Sequence, residues 1–297
     1  MVYNTPPILP HRRPGQPDVL PAPTEPLHVS FDVNLLEPYL PPPRTEFLTE
    51  ELPGSDASKS TSAKLPHVTL TYASSLDSQI SLGPGIQTIL SGPETKAMTH
   101  YLRTRHDAIM VGANTARVDN PSLTSRYAEG EEVVGLERQP RPFILDQHMQ
   151  WEPSEILKVF HLAKEGTGRA PWWITQRPSS DADARYEEKF KVVRDYGGEV
   201  LLTNGKKDWG ELLTMMAEHG IRSVMIEGGA AVINNLLEAK NQQYVSSVVV
   251  TIAPTYLGKG GVAVSPSRTG PGNEARLKDV RWVPMGQDVV MAGRLEP

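Results

Sequence analysis

The chain has 297 residues, of which 38% are hydrophobic and 22% charged, with a formal net charge of −5. That length supports a core needing no covalent staple, and the acidic balance argues against a basic nucleic-acid face. Cysteine is absent, which excludes disulfides, a thiol nucleophile and a zinc site built on Cys, and the eight histidines are scattered without an HExxH-like pair, so no metal is expected.

No apolar run is long enough to span a membrane. No apolar h-region follows the first Met, and Asp18, Glu25 and Asp32 fit a presequence poorly. A cytoplasmic protein without a membrane or nucleic-acid partner is therefore expected.

About half of the 27 prolines precede His67. Residues 1–64 read as a proline-rich, largely disordered extension, and residues 65–297 as the folded domain. Within the extension, residues 31–40 (FDVNLLEPYL) carry apolar residues at helical spacing and predict a short helix, with Ser30 or Asp32 as its cap. Residues 41–64 read as a linker.

From His67 the pattern changes. HVTLTYA is an alternating strand, and Ser91-Gly-Pro-Glu opens a capped helix running to Arg105. Strands follow at 108–111, 141–146, 172–175 and 199–203. Residues 208–219 form an amphipathic helix stopped by Gly220; a strand at 223–227 leads directly into a helix at 230–239. Late strands at 245–253 and 281–292 have no helix between them. Alternating strands and helices, then strands alone, predict an α/β fold with a mainly parallel central sheet and antiparallel C-terminal edge strands. Residues 125–140, 147–170 and 258–276 read as surface insertions. The apolar strand at 245–253 is the expected dimer edge.

Two stretches carry candidate chemistry. In residues 111–126 (VGANTARVDNPSLTSR), a buried strand breaks at Gly112 into a run displaying Thr115, Asp119 and Arg126. The carboxyl ends of strands are where an open α/β sheet binds ligands. In IEGGAAVINNLL, a strand ends in Glu227, then Gly228 and Gly229, and a helix starts at Ala230 and Ala231. That is either a phosphate cradle, with helix amides facing an anion, or a tight turn whose glycines satisfy φ. Trp172 and Trp173 are adjacent on a strand and point to opposite faces, which favours core packing over base stacking.

Taken with SLDSQISL at 75–82 and RPFILD at 141–146, these motifs resemble, in order and spacing, the riboflavin-pathway pyrimidine reductases of fungi, and more distantly the reductase half of bacterial bifunctional deaminase–reductases. The resemblance runs from about His67 to Gly293. It implies a dihydrofolate-reductase-like fold, a homodimer, and an NADPH-dependent oxidoreductase that converts a ribosylamino pyrimidine 5′-phosphate to its ribitylamino product by hydride transfer to sugar C1′.

Under that resemblance Thr115, Asp119 and the loop Glu227, Gly228, Gly229, Ala230 and Ala231 match cofactor contacts, while Glu227 is alternatively a substrate ligand. Arg126 matches a substrate-side arginine suited to a phosphate. Arg103 is a second phosphate candidate or a charge at a helix C-terminus. Asp77 and Glu227 are the weak catalytic candidates. The family's S-L-D-G-[KR] loop reads Ser-Leu-Asp-Ser-Gln here, so its basic residue has no counterpart. Arg117 and Lys259 are the basic residues considered for a cofactor 2′-phosphate. Without Cys the chain holds no zinc deaminase domain, so a stand-alone reductase of the 2,5-diamino substrate is expected. Two other readings remain: a reductase of the same fold acting on the deaminated pyrimidine or a pterin, and a non-catalytic NADP-binding module.

Overall fold

The computed structural model describes residues 24–43, 64–177, 184–205, 208–268 and 270–296. In chain order, two 3-10 turns (Val33–Leu35 and Glu37–Tyr39) precede β1 (His67–Ser74), β2 (Gln79–Ser81), α1 (Pro93–Arg105), β3 (Ala108–Gly112) and α2 (Ala113–Asp119). Next come β4 (Ala128–Glu129), β5 (Glu132–Val133), β6 (Arg141–Asp146), α3 (Lys158–Lys164), β7 (Trp172–Gln176), α4 (Ala184–Asp195), β8 (Glu199–Thr203) and α5 (Trp209–Glu218). The chain closes with β9 (Ser223–Gly228), α6 (Ala230–Leu236), β10 (Ser247–Ile252), β11 (Val262–Ala263), β12 (Leu277–Met285) and β13 (Asp288–Leu295).

Nine strands form the central sheet in the order β12-β13-β10-β1-β9-β3-β6-β7-β8. All neighbours from β10 to β8 run parallel, while β13 and β12 add antiparallel at one edge. This is the expected α/β layout. One expectation is corrected: β10 is no edge, because β1 pairs with it on one side and β13 on the other. Its unbroken Val248-Val249-Val250 run suits a strand covered on both faces. The sheet ends instead at β12 and β8.

Alternation sends successive side chains to opposite faces. On one face Met110, Phe143, Ile174, Ile226 and Val250 pack with Trp209, Leu213 and Met216 of α5 and Ile233 and Leu236 of α6. On the other, Ile109, Ile144 and Trp173 pack with α2, α3 and α4, while Met225 and Val249 pack under Met98 and Leu102 of α1. Trp172 packs on the first face and Trp173 on the second, so both serve the core.

The stretch 147–170 is not a surface insertion. Trp151 and Phe160 are fully buried and their rings stack at 5.7 Å. Residues 125–140 do form a small β4–β5 hairpin, and 258–276 contributes β11 against β2. The helix α4 has no counterpart among the elements expected from the sequence. The cap of α1 also comes from elsewhere than Ser91: buried Asp288, in β13, accepts from the Gly92 amide at 2.8 Å and the Thr95 hydroxyl at 2.5 Å.

Where one helix is expected over 31–40, there are two 3-10 turns broken at Leu36, the first capped by the Asp32 carboxylate. Leu36, Tyr39 and Leu40 are buried against α1 and the β12–β13 hairpin. Residues 24–30 run alongside 126–128, with a bridge between Leu27 and Tyr127. Most of the expected linker, and the first 23 residues, lie outside the described residues. Among the described residues no helix is long and apolar enough to cross a membrane.

Candidate active site

The parallel neighbours β3 and β9 bring Gly112 and Glu227-Gly228-Gly229 together at their carboxyl ends, with Val111 beside Gly228. Helices α2 and α6 start immediately afterwards, so two helix N-termini sit side by side.

The glycines make this approach feasible. Gly228 adopts φ +109°, and a Cβ there would lie 2.7 Å from Ile233 Cδ1. Gly229 adopts φ +49°, and a Cβ there would lie 2.9 Å from Thr115 Oγ1. The two readings of the glycine pair therefore coexist. Gly228 is buried and serves the turn, whereas Gly229, Ala230 and Ala231 line an open cavity. The amides of the first turn of α6 have no upstream helical carbonyl to accept from them.

That cavity, of about 1080 Å³, is also lined by Thr115, Asp119 and Glu227. It exceeds the usual size of a pocket for one small ligand, roughly 300–1,000 Å³. Asp119, half-buried at the end of α2, has its carboxyl raised by burial. Asn114 and Lys96 join the wall, as do Thr203 at the end of β8 and Asn204 after it.

Glu227 does not stand alone. Both its oxygens accept from Arg103, Nε and Nη2 each at 2.7 Å, while Arg103 Nη1 donates to the Thr124 carbonyl at 2.8 Å. The side chains are 13% and 17% exposed, so this is a largely desolvated bidentate pair. Arg103 is thus neither a plain helix-terminal charge nor a member of the cavity wall. It braces the carboxylate that is.

Around this pair the positive charge is in excess. Lys96, His100 and Arg103 share one face of α1, and Arg126 approaches from the segment after α2. Burial, then the charges of Arg103, Arg126 and Lys96, drive the His100 pKa down to about 2. His100 is therefore neutral, and its Nδ1 accepts from the Arg126 amide at 2.9 Å. Burial first, then Arg103, lowers the pKa of Arg126. Arg126 is not among the cavity's lining residues, and its Nη1 donates to the Glu25 carbonyl at 3.0 Å.

Asp77 is placed elsewhere. Its carboxylate accepts from Ser75 Oγ at 2.5 Å and from the amides of Leu257 and Gly258 at 3.1 and 2.7 Å. These bonds, that of Ser75 foremost, hold its pKa below the ordinary carboxylate value. Asp77 ties the 257–258 loop to the turn between β1 and β2 and is not among the cavity-lining residues. Arg117 and Lys259 are also outside the wall; Arg117 donates to Asn114. Among the described residues no group of three or more His, Asp or Glu is arranged to hold a metal ion.

Lys96 and His100 are not among the residues that the sequence motifs point to. Their spacing from Arg103 along one helix face, i, i+4, i+7, was the available signal.

Residues 66–291 match the RibD C-terminal domain family. The chain is similar to the 2,5-diamino-6-ribosylamino-4(3H)-pyrimidinone 5′-phosphate reductase of Debaryomyces hansenii, 39% identical over 260 residues that cover 86% of this chain and 98% of the relative. It is 37% identical to the Saccharomyces cerevisiae reductase of that name over 251 residues, covering 84% and 94%. A solved structure of the riboflavin biosynthesis reductase Rib7 from Saccharomyces cerevisiae matches with a TM-score of 0.64 at 32% identity, covering 89% of this chain and 99% of that one. The RibD of Acinetobacter baumannii matches at TM-score 0.63 but 19% identity, which shows the fold alone.

Proposed function

Because the chain belongs to the RibD C-terminal domain family, we propose that it is an NADPH-dependent oxidoreductase of riboflavin biosynthesis. Its reaction is reduction of 2,5-diamino-6-(ribosylamino)-4(3H)-pyrimidinone 5′-phosphate to the ribitylamino product. The observation that most supports this reading is the junction at Glu227. One cavity wall of hydroxyl, amide and carboxylate groups meets, through Arg103, a cluster of cations.

The wall has the chemistry a dinucleotide needs. Thr115 and the amides of Ala230 and Ala231 are donors for pyrophosphate oxygens, and glycine at 229 keeps the backbone close. NADPH, when bound, supplies the hydride delivered to sugar C1′. Asp119 and Thr115 then hold the cofactor. Glu227, oriented by the two hydrogen bonds from Arg103, offers remaining lone pairs to an aminopyrimidine. Arg126, with Arg103 and Lys96, attracts the substrate's 5′-phosphate. Positioning and electrostatics are the protein's share of the reaction.

The same proposal includes a homodimer working in the cytoplasm. For the dimer, support comes from β12, a sheet edge on which Trp282 is 58% and Val280 39% exposed.

The test is incubation of the purified protein with NADPH and freshly prepared 2,5-diamino substrate. Loss of reduced-nicotinamide absorbance matched by ribitylamino product is expected. Turnover of the deaminated pyrimidine alone, or bound cofactor without consumption, overturns the reading.

A further inference from the structure

Residues 24–43 make contacts that packing alone does not require. Each polar part of the Arg126 backbone is held. Its amide donates to His100 Nδ1, and its carbonyl accepts from the Leu27 amide at 2.9 Å. The Leu27 carbonyl in turn accepts from the Ala128 amide at 3.0 Å. The guanidinium reaches back to the same segment, with Nη1 on the Glu25 carbonyl at 3.0 Å. Two of the three restraints on Arg126 therefore come from residues 25–27.

The far end of this segment is pinned to the reverse side of α1. The Glu37 carboxylate accepts from Tyr101 Oη at 2.7 Å and pairs with Arg105, whose Nη2 donates to the Pro41 carbonyl at 3.0 Å. Arg281 donates to the Leu35 carbonyl at 3.1 Å, and the Arg294 guanidinium lies over the Tyr39 ring at 5.4 Å. Leu36, 0% exposed, is the apolar anchor.

We propose that residues 24–43 are a positioning strap, with the backbone of Glu25 and Leu27 holding Arg126 ready to grip the substrate's phosphate. The proposal rests on the reading of Arg126 given above. Its physical basis is preorganisation. Arg126 follows an irregular stretch, faces the like charge of Arg103, and carries a side chain rich in rotamers. A carbonyl fixed on Nη1 offsets that repulsion and spends the ordering cost before the ligand arrives. The bond to Glu25 uses Nη1 alone, which leaves the Nε and Nη2 edge of the fork for two phosphate oxygens.

Leu27→Pro deletes the amide donated to Arg126, whereas Leu27→Ala keeps it. We expect Leu27→Pro to raise the KM for the ribosylamino phosphate roughly three- to tenfold, with NADPH affinity and kcat near wild type. Leu27→Ala should behave as wild type. In an Arg126→Ala background, which raises KM by itself, Leu27→Pro should add nothing. An unchanged KM in Leu27→Pro, with Arg126→Ala still impaired, overturns the strap and leaves the Arg126 reading intact. An unchanged KM in Arg126→Ala removes both. Should Leu27→Pro not fold, hydrogen exchange of the wild-type chain decides, since coupling is reciprocal. Saturation with ribose 5-phosphate should slow exchange at the Leu27 and Ala128 amides; unchanged rates overturn the proposal.

Discussion

Arg103 and Glu227, 124 residues apart in sequence, close a bidentate ion pair in which both carboxylate oxygens are engaged at 2.7 Å. The pair joins α1 to the carboxyl end of β9, and so couples the helix bearing the cations to the loop bearing the glycines. Removing one member strands the other in a largely dry site. Arg103→Met and Glu227→Gln should each cost about 2–4 kcal/mol of stability, and the double variant less than their sum. Urea unfolding of the four proteins in the cycle measures this. A coupling near zero would show that the two side chains do not depend on each other.

The glycine pair separates fold from ligand. Gly228→Ala places a methyl 2.7 Å from Ile233 Cδ1 in the core, at φ +109°. It should destabilise by roughly 1–3 kcal/mol through backbone strain and the steric shift. Gly229→Ala also carries backbone strain, at φ +49°, but its methyl is driven against Thr115 Oγ1 in the cavity wall rather than into the core. It should weaken NADPH binding about tenfold or more, since displacing one charge-assisted hydrogen bond costs about 1.5–3 kcal/mol. Titration of nicotinamide fluorescence and thermal unfolding, run on both variants, distinguish the two effects.

Stability should fall on mild acidification because of His100. An unfolded histidine takes up a proton below about pH 6.5, whereas His100 in the fold holds off protonation to about pH 2. Between those values the unfolded state binds more protons, so stability rises with pH across the window and is lost as pH falls. His67, brought down to about 4 mainly by burial, acts in the same sense over a narrower range. Each contributes at most about 1.4 kcal/mol per pH unit. His100→Gln should flatten the loss between roughly pH 6.5 and pH 5 by up to about 2 kcal/mol relative to wild type. Urea midpoints at both ends of that interval give the slope, and an identical slope in the variant would place the titration elsewhere.

What could be read without coordinates follows from local chemistry. Strand alternation at Ile109/Met110 and Trp172/Trp173, the stop at Gly220 and the Gly228-Gly229 turn are properties of short windows, and they marked the strand ends where the cavity lies. Trp151 is an isolated apolar residue in a polar run and shows no period, while the apolar cluster around Phe160 spans only the seven residues of α3; packing of Trp151 on Trp173 and of Phe160 on Trp151 makes them core. In α4, Tyr186, Phe190 and Val193 did carry a helical stripe, obscured by the charges between them. Residues 24–43 hid behind their prolines, since the burial of Leu36 and Tyr39 depends on the distant face of α1. The site's hydroxyls and glycines were visible. The Arg103–Glu227 pairing and the neutral state of His100 were not, because both depend on which charges the fold gathers.

Asp119 offers the most direct test of the cofactor side of the cavity. It ends α2 one turn beyond Thr115, on the wall shared with Ala230 and Ala231. Burial raises its carboxyl above the ordinary value, and among the described residues no cation pairs with it. A partly desolvated carboxylate without a cationic partner gains most when a ligand donates hydrogen bonds to it. Asp119→Asn preserves shape and one acceptor, so it should weaken NADPH only a few-fold, whereas Asp119→Ala should weaken it roughly ten- to a hundredfold, as loss of a charged hydrogen bond of about 1.5–3 kcal/mol implies. Ligand-free stability in Asp119→Ala should hold or rise slightly, because removing a raised carboxylate removes its desolvation cost. Calorimetric titration with NADPH, beside thermal unfolding without it, reads both quantities. Undiminished NADPH affinity in Asp119→Ala would detach this residue from the cofactor, and a loss of stability to match would make it a helix-terminal fixture instead.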